Sequence, residues 1–122
     1  MKKSTKIISL AIILAIAIFF FTRNGEVEAG VYDEFAKCIT DAEAIFYGSF
    51  QCIHCATQKE MFGNSMQYIN YVECGPLGGP QTLACQQAGI TGYPSWIIGN
   101  KKYEGVQQFS KLAELTGCQL PN

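Results

Sequence analysis

Six cysteines, all of them after residue 30, constrain the fold of this chain more than any other feature. They lie at positions 38, 52, 55, 74, 85 and 118 of a chain of 122 residues. An even number of cysteines in a small domain is typical of proteins that fold outside the cytoplasm, where thiols are oxidised in pairs. If Cys52 and Cys55 form a redox disulfide of their own, short-range pairing of Cys74 with Cys85 leaves Cys38 to pair with Cys118.

The run Cys52-Ile53-His54-Cys55 places two thiols one helical turn apart, with the only histidine of the chain between them. An apolar run at 44–48, typical of a buried strand, precedes it, and helix-compatible residues follow it. Cys52 is therefore expected at a helix N-terminus, where unpaired N–H groups and the helix dipole stabilise a thiolate. We predict that Cys52 is the nucleophile, that Cys55 is the resolving thiol, and that a protonated His54 stabilises the thiolate further.

The remaining segments alternate between helical and extended patterns. We predict a helix at 32–39, the strand at 44–48, the cysteine helix at 52–62, a strand at 68–73, a helix at 81–88, a hairpin from 96–98 and 102–104, and a helix at about 109–115. This order predicts one α/β domain over residues 31–122, with a central mixed sheet flanked by helices.

A hydrophobic segment precedes this domain. Three lysines stand before an apolar run from Ile7 to Phe21, which only Ser9 interrupts. We expect residues 1–22 to be a signal anchor, with residues 23–30 as a linker and the domain facing the periplasm or the cell exterior. The run Val27-Glu28-Ala29 has small residues at the two positions that a signal peptidase recognises before its cleavage site. Secretion after cleavage of a signal peptide is therefore the alternative.

The motifs around the cysteine pair resemble the thioredoxin-like family over essentially all of residues 31–119. A strand feeds a Cys-x-x-Cys helix, and Gly92-Tyr93-Pro94 directly precedes the predicted hairpin. Three runs are more narrowly similar to the thioredoxin-like domain associated with bacterial vitamin K epoxide reductase homologues: Phe46-Tyr47-Gly48-Ser49-Phe50, Tyr71-Val72-Glu73-Cys74 and Gly92-Tyr93-Pro94-Ser95-Trp96. The resemblance implies that Pro94 is cis and faces the cysteine pair, and that the backbone of Tyr93 binds a substrate strand.

Three positions depart from that family's pattern. Gln51 and Ile53 stand where a tryptophan and a proline are usual around the first cysteine. Thioredoxins also bury an acidic residue six positions before that cysteine, and this chain has Phe46 there. The proton that moves during exchange must therefore use water, His54 or another group, which the sequence does not identify.

The resemblance implies an extracytoplasmic thiol-disulfide oxidoreductase that acts on protein dithiols and is reoxidised by a quinone-linked membrane partner of the vitamin K epoxide reductase type. A histidine at the position of His54 accompanies the oxidising end of the family, which lies about 150 mV above thioredoxin. We therefore expect an oxidase rather than a reductase for cytochrome maturation, which is the first alternative. The second is a membrane-tethered metal-binding or metallochaperone domain using Cys52, His54 and Cys55, which lacks ligands unless Cys74 or Cys85 converges on the site.

The composition and the other cysteines complete the expectations. After Gly30, five lysines face eight acidic residues, which does not favour nucleic acid as a partner. No cofactor and no resident metal are expected. Cys74 and Cys85 flank a Gly/Pro-rich loop at 75–80, so a structural disulfide is expected there, with a second electron-shuttling pair as the alternative. Pairing of Cys38 with Cys118 requires the ends of the first and last helices of the domain to meet.

Overall fold

The structure is a computed structural model that describes residues 2–23 and 29–122. Its elements are α1 (Lys2–Arg23), α2 (Asp33–Asp41), β1 (Ile45–Gly48), α3 (Ile53–Phe62), a 3₁₀ helix (Gly63–Tyr68), β2 (Tyr71–Glu73), α4 (Leu83–Gln87), β3 (Ser95–Ile98), β4 (Lys101–Glu104) and α5 (Phe109–Thr116). The expected domain boundaries stay predictions. Most of the expected linker, residues 24–28, lies outside the described residues, and so do Val27 and Glu28 of the cleavage-like run.

The strands form one mixed sheet in the order β2-β1-β3-β4. β1 is parallel to β2 and antiparallel to β3, and Phe46 lies opposite Tyr71 on one side and Trp96 on the other. The parallel pair requires a crossover, which α3 and the 3₁₀ helix provide. The prediction of an α/β domain with a central mixed sheet flanked by helices is confirmed, and this architecture fits a thioredoxin-like fold.

Both faces of β1 are buried because successive strand residues point to opposite sides of the sheet. On one face the rings of Phe46 and Trp96 stack with centroids 5.0 Å apart, and α2, α3 and α5 cover them. On the other face Tyr47 packs with Ile90 and with the cysteines that flank the Gly/Pro-rich loop. The strand that leads to the Cys-x-x-Cys motif is thus the centre of the domain.

A buried glutamine fixes α3 against the sheet. The side-chain oxygen of Gln58 accepts hydrogen bonds from the indole N–H of Trp96 (3.1 Å) and from the backbone N–H of Gln107 (2.7 Å). Its amide nitrogen donates to the carbonyl of Gln107 (3.1 Å). Because Gln58 has no exposed surface, these bonds hold the cysteine helix to β3 and to the segment before α5.

The strand predicted at 68–73 is wrong in its first half. Residues Gly63–Tyr68 form a 3₁₀ helix, and the N–H of Ile69 donates to the carbonyl of Met66 (3.1 Å), so β2 begins only at Tyr71. Ile69 is buried in the main core from this turn. The alternating apolar pattern at residues 68–70 therefore belongs to a turn that packs on the core and not to an extended strand.

α2 is longer than predicted. The predicted helix ends at residue 39, but α2 continues through Thr40 to Asp41. The hydroxyl of Thr40 donates to the carbonyl of Tyr68 (2.7 Å), so it does not compete for the backbone of its own helix. This bond ties the end of α2 to the end of the 3₁₀ helix.

The N-terminal segment forms the helix α1. Residues 3–21 have a mean hydropathy of 2.3, and none of them is buried. By length and composition the helix is able to cross a membrane, and a signal sequence near an N-terminus has the same properties. α1 accordingly has the length and composition of a membrane anchor or of a signal sequence.

We predict that Gln58→Leu destabilises the domain. The substitution keeps most of the side-chain volume but leaves the buried indole N–H of Trp96 without an acceptor, which costs about 1–3 kcal/mol, and it also removes the acceptor of the part-buried N–H of Gln107. Urea unfolding of the full chain in detergent would measure the loss. Gln67→Leu, at an exposed glutamine with one hydrogen bond to the carbonyl of Asn64, is the matched control and should change stability by less than about 0.5 kcal/mol. Equal stability of the two variants would contradict the role given to Gln58.

Candidate active site

Cys52 is the residue that caps the N-terminus of α3. Its backbone is extended, its N–H donates to the carbonyl of Ser49 (3.1 Å), and its sulfur accepts the N–H of Cys55 at 3.3 Å. The sulfur thus occupies the place of the side-chain oxygen in an ordinary N-cap. A negative charge on this sulfur is stabilised by that N–H group and by the dipole of the helix.

The two thiols of the motif differ in exposure. Both are free thiols, but Cys52 exposes 9% of its surface and Cys55 exposes none. Burial raises the pKa of Cys55 to about 12, together with the hydrogen bond and charge of Cys52, although the backbone of Ser49 and the ammonium of Lys59 act in the opposite direction. Cys52 is therefore the thiol that another molecule reaches, and Cys55 stays protonated at neutral pH.

The turn before Cys52 is fastened to the Gly/Pro-rich loop at 75–80. The buried hydroxyl of Ser49 donates to the carbonyl of Gly75 (2.6 Å), and the side-chain oxygen of Gln51 accepts the N–H of Leu77 (2.9 Å). Gln51, which departs from the family pattern, therefore binds the neighbouring loop. This loop follows β2 and is flanked by the disulfide between Cys74 and Cys85. The sheet and this disulfide therefore hold in place the turn that leads to Cys52.

The segment around Pro94 lies beside Cys52. The Tyr93–Pro94 peptide bond is cis, Pro94 is buried, and the carbonyl oxygen of Tyr93 lies 3.7 Å from the sulfur of Cys52. The hydroxyl of Tyr93 accepts a hydrogen bond from the side-chain amide of Gln81 (2.7 Å), which lies in the segment before α4. The structure thus brings Tyr93 and Pro94 to the cysteine pair, and their part in substrate binding stays a prediction.

His54 is exposed in the first turn of α3. Within the described part of the chain its ring makes no hydrogen bond to the sulfur of Cys52 or of Cys55. Any influence of His54 on the thiolate would therefore act through its charge rather than through a hydrogen bond.

The other cysteines form two disulfides. Cys38 is bonded to Cys118 with Cα atoms 5.9 Å apart, so the end of α2 meets the segment after α5. Cys74 is bonded to Cys85 with Cα atoms 5.5 Å apart, and neither of these residues exposes any surface. A disulfide without exposed surface is out of reach of another protein's thiol, which favours a structural role for this bond over an electron shuttle.

Two further polar side chains near Cys55 were missed in the sequence. A side chain at Gly48 would meet the sulfur of Cys55 at 3.1 Å and the hydroxyl of Tyr71 at 3.2 Å, so both atoms border the same small space. The Tyr71 hydroxyl donates to a carboxylate oxygen of Glu73 (3.3 Å). Burial, followed by the charge of Glu73, raises the pKa of Tyr71 above its ordinary value. The alternation along β2 puts Tyr71 and Glu73 on one face of the strand, but their place beside Cys55 depends on the pairing of β2 with β1.

We predict selective alkylation of the reduced chain. Because Cys55 is buried and its pKa is about 12, iodoacetamide at about pH 8 should modify Cys52 at least tenfold faster than Cys55. Peptide mapping by mass spectrometry gives the two rates. A Cys55→Ser variant is the control and should be labelled once, at Cys52. Equal labelling of both cysteines in the folded chain would contradict this assignment.

Comparison with known proteins agrees with the chemistry of the site. No family model matches the chain. The chain is 46% identical over 90 residues to thiol-disulfide oxidoreductase LTO1 of Arabidopsis thaliana, a match that covers 70% of this chain and 24% of that protein. The chain thus spans about a quarter of the length of the curated relative, and it is similar to part of an enzyme named for thiol-disulfide exchange.

Proposed function

We propose that the chain is an extracytoplasmic thiol-disulfide oxidoreductase that oxidises protein dithiols through Cys52 and Cys55. The observation that carries this proposal is the sulfur of Cys52 at the N-terminus of α3, where it accepts the N–H of Cys55 while the Cys55 thiol stays buried behind it. The identity of 46% to an enzyme named thiol-disulfide oxidoreductase supports the same class of activity.

In the oxidising direction the reaction consists of two exchanges. A substrate thiolate attacks the sulfur of Cys52 in the Cys52–Cys55 disulfide, which forms a mixed disulfide and releases Cys55 as the leaving group. A second substrate thiolate then attacks the substrate sulfur of the mixed disulfide and releases the thiolate of Cys52. The substrate loses two electrons and the cysteine pair gains them.

The surroundings of Cys52 suit an extended substrate segment. Phe50 and Ile53 expose 65% and 76% of their surfaces on either side of the motif, and they offer apolar contacts to an unfolded chain. The backbone of Tyr93, beside the sulfur, would pair with such a segment as a strand does.

The direction follows from which form of the pair is stabilised. The hydrogen bond and helix dipole at Cys52 stabilise the thiolate, which exists only in the reduced form, and a positive charge on His54 would add to this. A stabilised reduced form makes the disulfide a better oxidant. These features support an oxidase over a reductase for cytochrome maturation.

The location and the partner are part of the proposal. α1 would hold the domain at the membrane, with the lysines at its start on the cytoplasmic side and the domain in the periplasm or outside the cell. The two disulfides support an oxidising compartment. There a quinone-linked membrane protein of the vitamin K epoxide reductase type would reoxidise Cys52 and Cys55.

The metal-binding alternative is less well supported. It needs Cys74 or Cys85 as an additional ligand, and these two sulfurs are bonded to each other. Among residues 2–23 and 29–122, no group of three or more His, Cys, Asp or Glu side chains is arranged to hold a metal ion.

We predict that Cys52→Ser and Cys55→Ser fail in different ways. Without the nucleophile, oxidation of a dithiol peptide should fall at least about a thousandfold. Cys55→Ser should instead accumulate a mixed disulfide at Cys52 when it is mixed with the disulfide form of the same peptide, because the Cys52 thiolate attacks that disulfide and the resolving thiol is missing. Mass spectrometry under acid quench separates the two results. The double variant Cys38→Ser/Cys118→Ser is the control and should keep the activity. A fully active Cys52→Ser variant would refute the assignment of Cys52 as the nucleophile.

We also predict an oxidising reduction potential. Equilibration with glutathione buffers should place the Cys52–Cys55 couple nearer to about −120 mV than to the value of about −270 mV for thioredoxin. His54→Ala should make the potential more negative, because a positive charge near the thiolate is lost. Thr57→Ala, at another exposed position of α3, is the control for any change in the helix. A potential close to that of thioredoxin would favour the reductase.

A further inference from the structure

Exchange at the cysteine pair requires a proton to reach and leave the sulfur of Cys55. This thiol exposes no surface, so bulk water does not contact it. Phe46, which stands where thioredoxins bury an acid, stacks on Trp96 and has no group that carries a proton. His54 is exposed and makes no hydrogen bond to either sulfur within the described residues. Another side chain must serve the buried thiol.

Tyr71 is the polar side chain that β2 brings to this place. β1 and β2 are parallel neighbours, and the glycine at the end of β1 leaves a space that the Cys55 sulfur and the Tyr71 hydroxyl both border. The ring of Tyr71 is fixed by an edge contact with Phe46 (centroids 5.0 Å apart) and by the ammonium of Lys59, which lies 4.1 Å from its centroid. The ring is therefore fixed on two sides, and its hydroxyl lies beside the small space that the Cys55 sulfur also borders, without a direct hydrogen bond between them among the described residues.

Glu73 orients that hydroxyl. One carboxylate oxygen accepts the Tyr71 O–H at 3.3 Å and also the backbone N–H groups of Cys74 (3.0 Å) and Gly75 (3.4 Å). Because the tyrosine proton points to the carboxylate, the lone pairs of the phenol oxygen are available to the Cys55 thiol. Glu73 is half-buried, so its carboxylate connects this buried space with solvent.

We propose that the hydroxyl of Tyr71 is the catalytic proton carrier for Cys55 and that Glu73 is the positioning residue that orients it. This inference rests on the proposed exchange reaction and names a group that the reaction needs. The charged and titratable groups around the two atoms are Cys52 and Lys59 from α3 and Glu73 from β2. β1 faces them with Gly48 and Phe46, neither of which titrates.

In the resolving step one disulfide replaces another, and one proton moves from Cys55 through Tyr71 to Glu73. As Cys55 attacks the mixed disulfide, a bond forms between its sulfur and that of Cys52, and the bond from Cys52 to the substrate sulfur breaks. The substrate leaves as a thiolate, the Cys55 proton passes to the Tyr71 oxygen, and the Tyr71 proton passes to Glu73. In the oxidising direction Cys55 leaves as a thiolate and takes the proton back from Tyr71.

The direction of the pKa shifts suits proton exchange between these two groups. Burial raises the pKa of Cys55 to about 12, and burial with the charge of Glu73 also raises the pKa of Tyr71. Both groups therefore keep their protons at neutral pH until the reaction moves them, which suits a hydroxyl that receives one proton while it gives up another.

The test is the rate of the resolving step in Tyr71→Phe. The reduced full chain in detergent is mixed with oxidised glutathione, and acid quench with mass spectrometry follows first the mixed disulfide at Cys52 and then its resolution by Cys55. Phenylalanine keeps the ring contacts and removes only the hydroxyl. We expect resolution at about pH 7 to slow by about 10- to 100-fold, while the first step changes less than about twofold. The difference should become smaller as the pH approaches the pKa of Cys55, about 12, because part of the thiol is then ionised before it attacks.

Tyr68→Phe is the matched control, because the ring of Tyr68 also lies under a lysine, with the Lys37 ammonium 4.5 Å from its centroid. It should leave both steps unchanged. Glu73→Gln keeps a hydrogen-bond acceptor but removes the carboxylate that receives the proton, so it should slow resolution and leave the first step unchanged. As in Tyr71→Phe, the difference from the unaltered chain should become smaller at high pH, and a purely structural role would not produce this pH dependence.

The outcomes separate this inference from the proposed function. Resolution at the unaltered rate and with the unaltered pH profile in Tyr71→Phe overturns the role of the hydroxyl. Equal slowing of both steps also overturns it, because a packing defect would then be the cause. If the unaltered chain forms no mixed disulfide at Cys52, the exchange reaction itself is wrong, whatever the tyrosine variant does.

Discussion

The hydrogen bond from the N–H of Cys55 to the sulfur of Cys52 is the interaction on which the chemistry of this chain depends. It exists because α3 begins directly after Cys52, so that the first unpaired N–H groups of the helix face the sulfur. β1 determines where the helix begins, since this strand is paired on both sides and lies between two buried faces. Gln58, one helical turn beyond Cys55, then fixes the helix to β3 and fixes the position of both thiols.

The second support of the site comes from the loop after β2. The N–H of Cys74 donates to the carbonyl of Gly48 (2.8 Å), and the hydroxyl of Ser49 donates to the carbonyl of Gly75 (2.6 Å). The buried disulfide between Cys74 and Cys85 closes this loop. A reactive thiol needs surroundings that keep their position when it exchanges one sulfur partner for another. Here the two hydrogen bonds and the disulfide hold these surroundings in place. Gln51 and the Gly/Pro-rich loop at 75–80 thus form one hydrogen-bonded support for the turn before Cys52.

The sequence predicted the parts of this arrangement that depend on local patterns. Each of three elements has a pattern that is visible within a short stretch of the sequence. They are the strand of the apolar run at 44–48, the cysteine helix and the hairpin near residue 100. The prediction failed at residues 68–70, where Tyr68 and Ile69 bury apolar surface from a 3₁₀ turn and so imitate the alternation of a strand. Tyr71 and Glu73 were missed for another reason: their proximity to Cys55 depends on the parallel pairing of β2 with β1, which no local pattern contains.

The position of the proton carrier follows from the packing of the sheet. Phe46 lies on the central strand and stacks on Trp96, so an acid there would be a charge among aromatic rings with no hydrogen-bond partner, which is costly. β2 is an edge strand of the sheet, and its residues are half-buried rather than enclosed. On this strand the Tyr71 hydroxyl borders the same space as the Cys55 sulfur, and the half-buried Glu73 accepts a hydrogen bond from that hydroxyl. Polar groups on the edge strand thus let Phe46 stack on Trp96 at the centre of the sheet, while the buried thiol still has a route for its proton.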